Sequence, residues 1–302
     1  MHKIIQARNI WFTVSGIFLG VSILSLLLWG LKPGIDFTGG SLLEVSYSAQ
    51  RPSVDQVNAS LTDLGLKSLR VQPSGDQNFI LRFEETSEAT HQSILQNLGA
   101  IKIDGVDNNS LTELSFESIG PVIGKELTQK SIQAIILVLI FIILYIAYAF
   151  RKVSKPIASW KYGVAAVIAL IHDILIITGI FSLWGHFGKA EVDTLFVTAL
   201  LTILGFSVHD TIVTFDRIRE NLAKIHDKDF ADLANISINQ TIVRSINTSL
   251  TTLLALSAVV FFGGTSIRTF ALTLIMGIIV GTYSSIYIAS ALLVTWEKRS
   301  HK

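Results

Sequence analysis

Three charged residues stand inside stretches that are otherwise apolar enough to cross a lipid bilayer. Asp173 interrupts the run from Tyr162 to Trp184. Asp210 interrupts the run from Thr194 to Phe215. Arg244 lies near the start of the run from Ile242 to Phe262. A charge in a spanning helix is costly, and it marks an ion or proton path, or a buried pair. Counted along the helices at 1.5 Å per residue, Asp210 and Arg244 come to within about one turn of the same depth. Their helices are consecutive and antiparallel, so an ion pair between them is geometrically cheap. Such a pair could be static, fixing only helix packing, or it could carry a proton; the spacing leaves both open. His172 and His209 each precede one of the carboxylates. Consecutive helix residues point about 100° apart, so neither His-Asp is a contact by spacing alone. Either imidazole is equally at home as a polar group in a helix interface. Protons would be the coupling ion, and no cofactor is called for.

Two glycine-rich blocks are the other unusual features. Gly34-Ile-Asp-Phe-Thr-Gly-Gly40 lies just past the first apolar run. Its glycines permit tight turns and close backbone approach. Asp36 can accept backbone donors of that turn, and Phe37, Gly39 and Gly40 complete a junction between helix and strand. The second block, Phe116-Glu-Ser-Ile-Gly-Pro-Val-Ile-Gly-Lys-Glu-Leu127, enters the second apolar run. It contributes Gly120, Pro121, Gly124 and Glu126, with Pro121 tolerable near a helix start. Neither block has the residues of a catalytic site.

Composition narrows the chemistry further. Apolar residues make up 50% of the 302, and charged residues 16%, against roughly 25% charged in soluble chains. The net charge of +1 gives no basic footprint for nucleic acid. Cysteine is absent, which excludes disulfides, thiol chemistry and Cys-ligated metal. There is no nucleotide loop, no His-Glu-x-x-His and no Gly-x-Ser-x-Gly, so an enzyme is the weakest reading.

The elements that must position these residues are six spans. They run Ile10–Trp29, Ser131–Phe150, about Tyr162–Trp184, Thr194–Phe215, Ile242–Phe262 and Thr269–Trp296, the first five near the 20 residues a bilayer requires and the last long enough to span with tilt or to continue past the interface. The first could be a signal peptide. Its apolar core is too long for one and no Ala-x-Ala-like site follows, so it reads as a retained helix. Lys3, Arg8, Arg151, Lys152, Lys155, Lys161, Arg217, Arg219, Lys224, Lys228, Arg244, Lys298, Arg299 and Lys302 flank one side; the short loops of the other side carry Lys189 and Arg268. The positive-inside rule then puts both termini in the cytoplasm. Asp216, Arg217, Arg219 and Glu220 read as an ion network at a helix end. Hydroxyls at Thr198, Thr202, Thr214, Thr248, Ser249, Thr251 and Thr252 could line a wet path, or simply bond to their own i−4 carbonyls. Gly16-x-x-x-Gly20 and Gly277-x-x-x-Gly281 offer close helix approach.

Residues 32–130 form a polar, net acidic segment between the first two spans. Ser41–Tyr47, Lys67–Val71, Phe79–Phe83 and Leu111–Ser118 read as strands, with a Gly75-Asp76 turn. Val54–Leu61 reads as a helix capped by Ser53 and Gln56 and closed by Gly65. Ser87–Leu98 reads as a second helix closed by Gly99, with His91 on its polar, solvent side. The order β-α-β-β-α-β is that of a ferredoxin-like split βαβ. The division is therefore 1–31, a first membrane helix; 32–130, an outer α/β domain; and 131–302, five further membrane helices.

Taken together, Gly34–Gly40, Gly120–Leu127, His172-Asp173, Val208–Asn221 and Thr241–Ser249 resemble the SecF family of protein-export membrane proteins, in the wider RND-like transporter superfamily. The resemblance covers essentially the whole chain in order. His209 departs from it, since asparagine-like residues are usual there. The resemblance implies a polytopic α-helical protein of the bacterial inner membrane, with six spans and a periplasmic domain between the first two. It implies a SecD-like partner subunit, the Sec translocon channel, and unfolded exported polypeptide as a further contact. It also implies use of the proton motive force, with Asp210, Arg244, Asp173, His172 and His209 along the proton path. An autonomous small-molecule exporter of the same superfamily is the alternative, although it calls for twelve spans and two outer domains, where this chain has six and one.

Overall fold

The computed structural model describes residues 2–103, 106, 108–150, 158–187 and 190–300. Arg151, Lys152, Lys155, Lys189 and Lys302 lie outside the described residues. The chain divides into two compact units, Met1–Lys32 with Ile132–Lys302, and Pro33–Ser131.

Among the described residues, six helices are long and apolar enough to cross a membrane. They are α1 (Arg8–Trp29), α5 (Pro121–Ala149), α6 (Ser159–His186), α7 (Thr194–Lys224), α8 (Phe230–Phe262) and a sixth built in three parts. The sixth begins as α9 (Thr265–Ser284), becomes π-wound over Ser285–Ala289, and resumes as α10 (Ser290–Ser300). Burial divides them. The apolar windows of α6, α7 and the sixth span are 56%, 44% and 56% buried, whereas those of α1, α5 and α8 are 17%, 6% and 11% buried. The first three thus form the core of the unit and the others line it. One apolar cluster is centred on Phe150, Tyr162 and Phe215. A second gathers Phe181, Phe196, Leu200 and Ile203.

Helix α1 packs inside out, as membrane helices do when small polar residues give close contact. Its buried residues are Ser15, Ser22 and Ser25, while Leu24, Leu27 and Leu28 are exposed. Gly179 of α6 lies so close to Ser22 that a methyl would collide with it. Ser182 Oγ donates to the carbonyls of Ser25 (2.9 Å) and Gly30 (2.6 Å). Gly16 and Gly20 have nothing within 4 Å of an added methyl among the described residues, and serines on the next face make the contact with α6. The other pair does pack, Gly277 against Ile203 and Gly281 against Ser207 of α7.

The amino-terminal residues are hooked onto α8. Ile4 and Ile5 are buried. Asn235 Oδ1 accepts from the Ile5 amide (3.2 Å), and the Asn235 and Asn239 side-chain amides both donate to the His2 carbonyl.

The second unit is a four-stranded antiparallel sheet in the order β2-β3-β1-β4, from β1 (Gly40–Tyr47), β2 (Arg70–Ser74), β3 (Asn78–Phe83) and β4 (Leu111–Ile119). Its helices are a single turn, α2 (Ile35–Thr38), and then α3 (Val54–Leu61) and α4 (Glu88–Gly99). Leu43, Val45, Phe79, Leu81 and Phe83 from the strands meet Val57, Leu61, Ile94 and Leu98 from α3 and α4. Ser53 and Gln56 form a reciprocal capping box, and Gly65 closes the following 3₁₀ turn in the left-handed region. Tyr47 is buried and donates to the Leu98 carbonyl (3.1 Å); burial pushes its hydroxyl up to about 12.

His91 corrects the expectation of a solvent-facing side chain. It is buried and stacked on Phe116, with ring centroids 3.7 Å apart. Its ring nitrogens lie 3.3 Å from Glu88 and 3.4 Å from Glu113. Positions 91, 94 and 98 share one face of α4, the face that covers the sheet. Hydrogen bonds from Gln92 and then His91 hold the exposed Glu88 carboxyl below its usual range.

Candidate functional site: a glycine joint and a polar seam

The two glycine blocks are one structure. Gly34 precedes the single turn α2, whose Phe37 and Thr38 amides both donate to the Gly34 carbonyl; the Gly39 amide donates to Ile35. Asp36 is half-buried within the turn and has a polar partner there. Gly39 and Gly40 then adopt φ of 74° and 125°, a region that disfavours any side chain. A methyl on Gly39 would sit 2.9 Å from the Pro121 backbone. A methyl on Gly124 would sit 3.0 Å from the Gly39 nitrogen and the Phe37 carbonyl. Backbone therefore touches backbone between the turn and the first residues of α5. Gly120 precedes Pro121, which occupies the helix's first position, where its missing N–H costs nothing. Glu126 is exposed.

Asp173 and Asp210 lie along a polar seam between α6, α7, α8 and the sixth span. Asp173 is fully buried. Its carboxylate accepts from Ser207 Oγ (2.6 Å) and Ser284 Oγ (2.8 Å), and lies 2.9 Å from His172 Nδ1. His172-Asp173 is thus a real contact, although spacing did not require one. Ser207, Asp210, Thr211 and Thr214 share the buried face of α7. Thr211 Oγ1 meets Ser285 Oγ at 2.8 Å, and Ser249 Oγ meets Thr282 Oγ1 at 2.6 Å. The seam is continuous from Asp173 to the turn bearing Asp210.

Asp210 is buried too, but less well served. Its electrostatic neighbours are His209, Ser245 and Arg244, and one carboxylate oxygen finds no hydrogen-bond partner among the described residues. His209, 58% exposed by its side chain, stands 3.7 Å away. The expected ion pair with Arg244 is not formed. Arg244 is exposed on the outer face of α8, and it is the next residue, Ser245, that is buried toward Asp210. Equal depth placed the two at one level, but the 100° between consecutive residues turned the guanidinium outward.

An exposed polar stripe runs beside them. Thr198, Thr202, Gly205 and His209 form it on α7; Arg244, Asn247 and Thr251 continue it on α8. Thr198, Thr202, Thr251 and Thr252 bond to carbonyls of their own helices. At the end of α7, Asp216 pairs with Arg219, while Glu220 takes Arg217 (2.5 Å) and Lys224 (2.6 Å). Sequence reasoning missed Ser207, Thr211, Ser245, Ser284 and Ser285. A signal existed in Ser207, three residues before Asp210, and in the serine pair within an apolar run.

A family profile described as protein export membrane protein SecD/SecF, C-terminal, matches residues 101–299, and one for the SecD/SecF GG motif matches residues 30–50. The chain belongs to the SecD/SecF family. Members of this family named protein translocase subunit SecF include one from Thermobaculum terrenum, 42% identical over 99% of this chain and 95% of its own length. Another, from Anaerolinea thermophila, is 39% identical over 98% of this chain and 94% of its own. Among solved structures, SecDF from Thermus thermophilus, described as a translocon-associated membrane protein, covers 98% of this chain at 32% identity with a TM-score of 0.83. This chain spans 38% of that SecDF chain. The family's GG motif includes the glycines that make the joint with α5.

Proposed function

We propose that this chain is a SecF-type subunit of the protein-export machinery of the bacterial inner membrane, coupling proton entry at Asp210 to movement of α7 against α8. The observation that carries the reading is the unsatisfied oxygen of a buried Asp210, one residue from the exposed His209. A carboxylate held without full compensation is poised to take a proton. Arg244, turned outward, represents the broken state of a pair that re-forms when α8 rotates. Protons are the only coupling ion assigned, and no catalytic role is assigned.

The exposed stripe of Thr202, His209, Arg244 and Asn247 supports a SecD-like partner half covering this face. Lipid would leave His209, Arg244 and Asn247 unsatisfied at several kcal/mol each. The antiparallel β2-β3-β1-β4 sheet supports a ferredoxin-like domain, which we place in the periplasm, with both termini cytoplasmic, where it contacts unfolded polypeptide beside the Sec channel. Vesicles reconstituted with the Sec channel and a SecD partner, under an imposed proton gradient, test the reading. Asp210→Asn inserts normally and loses the gradient-dependent part of translocation. Wild-type stimulation in that variant overturns it.

A further inference from the structure

The sixth span carries a distortion that its own backbone does not explain. Between Ser284 and Ser290 there is no proline and no glycine, yet Ser285–Ala289 is π-wound. A π turn holds one residue more than the α-helix needs, is rare, and persists where side chains hold it. The contacts that hold this one converge on Asp173. Ser284, the residue entering the π turn, donates to Asp173 at 2.8 Å. Ser207 donates to the same oxygen at 2.6 Å. Ser285 then donates to the Ser207 carbonyl at 3.0 Å and meets Thr211 Oγ1 at 2.8 Å. Ser207 and Thr211 bracket Asp210 on α7. One buried carboxylate therefore ties the start of the π turn to the helical turn that presents Asp210.

We propose that Asp173 is a positioning residue: it holds the sixth span in its π winding, and that winding sets the turn of α7 carrying Asp210. The functional half rests on the proton-linked reading of Asp210; the winding does not. Every donor to Asp173 lies on a different segment from the carboxylate except His172, so its bonds are made only when α6, α7 and α9 are in register. A π turn that relaxes to α gives up its extra residue. Everything beyond it then rotates by about 100° and shifts by about 1.5 Å. The segment beyond is α10, where Trp296 packs edge-on against Trp160 of α6, ring centroids 5.1 Å apart. The winding is thus a discrete two-state element linking the Asp210 turn to the end of the sixth span.

The chain has no cysteine, so engineered pairs report without background. In full-length protein in membranes with its SecD partner, Trp160→Cys with Trp296→Cys lies downstream of the π turn. Ser249→Cys with Thr282→Cys, whose native oxygens are 2.6 Å apart, lies upstream. Both are cross-linked with a short thiol-reactive reagent. Ser284→Ala removes one donor and keeps the carboxylate. It is expected to lower the downstream yield about tenfold, the population change of a lost hydrogen bond to a charged group, and to spare the upstream pair. Ser284→Thr, which restores the hydroxyl, rescues it. Retention of both pairs in Ser284→Ala, loss of both, or no rescue by threonine overturns the assignment. Failure of the Asp210 reading shows separately, as wild-type gradient stimulation in Asp210→Asn with the Ser284→Ala cross-linking loss intact.

Discussion

Asp173 and Asp210 are the same side chain in nearly the same sequence context, a His-Asp pair inside an apolar helix, and the protein treats them in opposite ways. Around Asp173 two serines and a histidine approach the carboxylate from α6, α7 and α9. Around Asp210 one oxygen lacks a partner among the described residues, and the adjacent histidine faces outward. The difference teaches that burial alone does not define a reactive carboxylate. A fully hydrogen-bonded one is a fixture of the packing. A partly served one can change its protonation with little rearrangement around it.

The sharpest way to break this comparison is to neutralise both. Asp210→Asn should reduce gradient-stimulated translocation by about a hundredfold, the scale of losing a positioned proton-transfer group, with normal membrane insertion. Equal losses from Asp173→Asn and Asp210→Asn in proton flux, measured with a pH-sensitive dye inside vesicles, would erase the distinction. Stability should rank the other way. Asp173→Ala strands Ser207 Oγ and His172 Nδ1, while Ser284 keeps the Gly281 carbonyl, and should cost about 3 kcal/mol, at 1–3 kcal/mol per stranded group. Asp210→Ala should cost under about 1 kcal/mol. Thermal unfolding of the detergent-solubilised chain reads this directly, and a larger loss at Asp210 would invert the assignment.

A region with no titratable group sharpens the contrast. Gly124→Ala pushes a methyl into the Gly39 and Phe37 backbone and should cost about 1–3 kcal/mol by overpacking. It should slow translocation and leave proton flux through the Asp210 seam unchanged; equal loss of both would join joint and seam into one unit. The most local effect belongs to Tyr47. Its folded value of about 12 lies above the ordinary 10.0, so its stabilisation is complete below pH ~10 and is lost as pH rises through about 12. Tyr47→Phe should cost about 1 kcal/mol at neutral pH. It should also remove that alkaline limb, seen by hydrogen exchange of the β1 and α4 amides in the full chain.

The six spans were legible because apolar runs with at most one charge have no other use at this length. Their ends were not. Helix α8 begins at Phe230, twelve residues before its apolar run, because Asp232, Asn235 and Asn239 belong to a polar extension. Depth along a helix could be counted, so Asp210 and Arg244 were matched in level. Azimuth depends on how each helix is rotated in the bundle, so Arg244 faced out and Ser245 in. His91 was misjudged by residue type although its spacing to Ile94 and Leu98 marked the inner face. The π turn left no trace, since its cause lies in Asp173, over a hundred residues away. The glycine joint was half legible: each block announced a close approach, but only the fold shows that they approach each other.

The hook that fastens the amino terminus to Asn235 spans 230 positions of sequence. At 5–20 residues per second, Ile5 leaves the ribosome on the order of 10–50 s before the asparagine that will hold it. During that interval the residues just ahead of α1 are without their asparagine partners. The serine face of α1 can find α6 once that helix arrives, but the final latch waits for α8. The contacts of residues 2–5 with Asn235 and Asn239 are therefore closed only when α8 is in place. A bulky substitution at Ile5 would be felt at that late step, after every span up to α7 has been built.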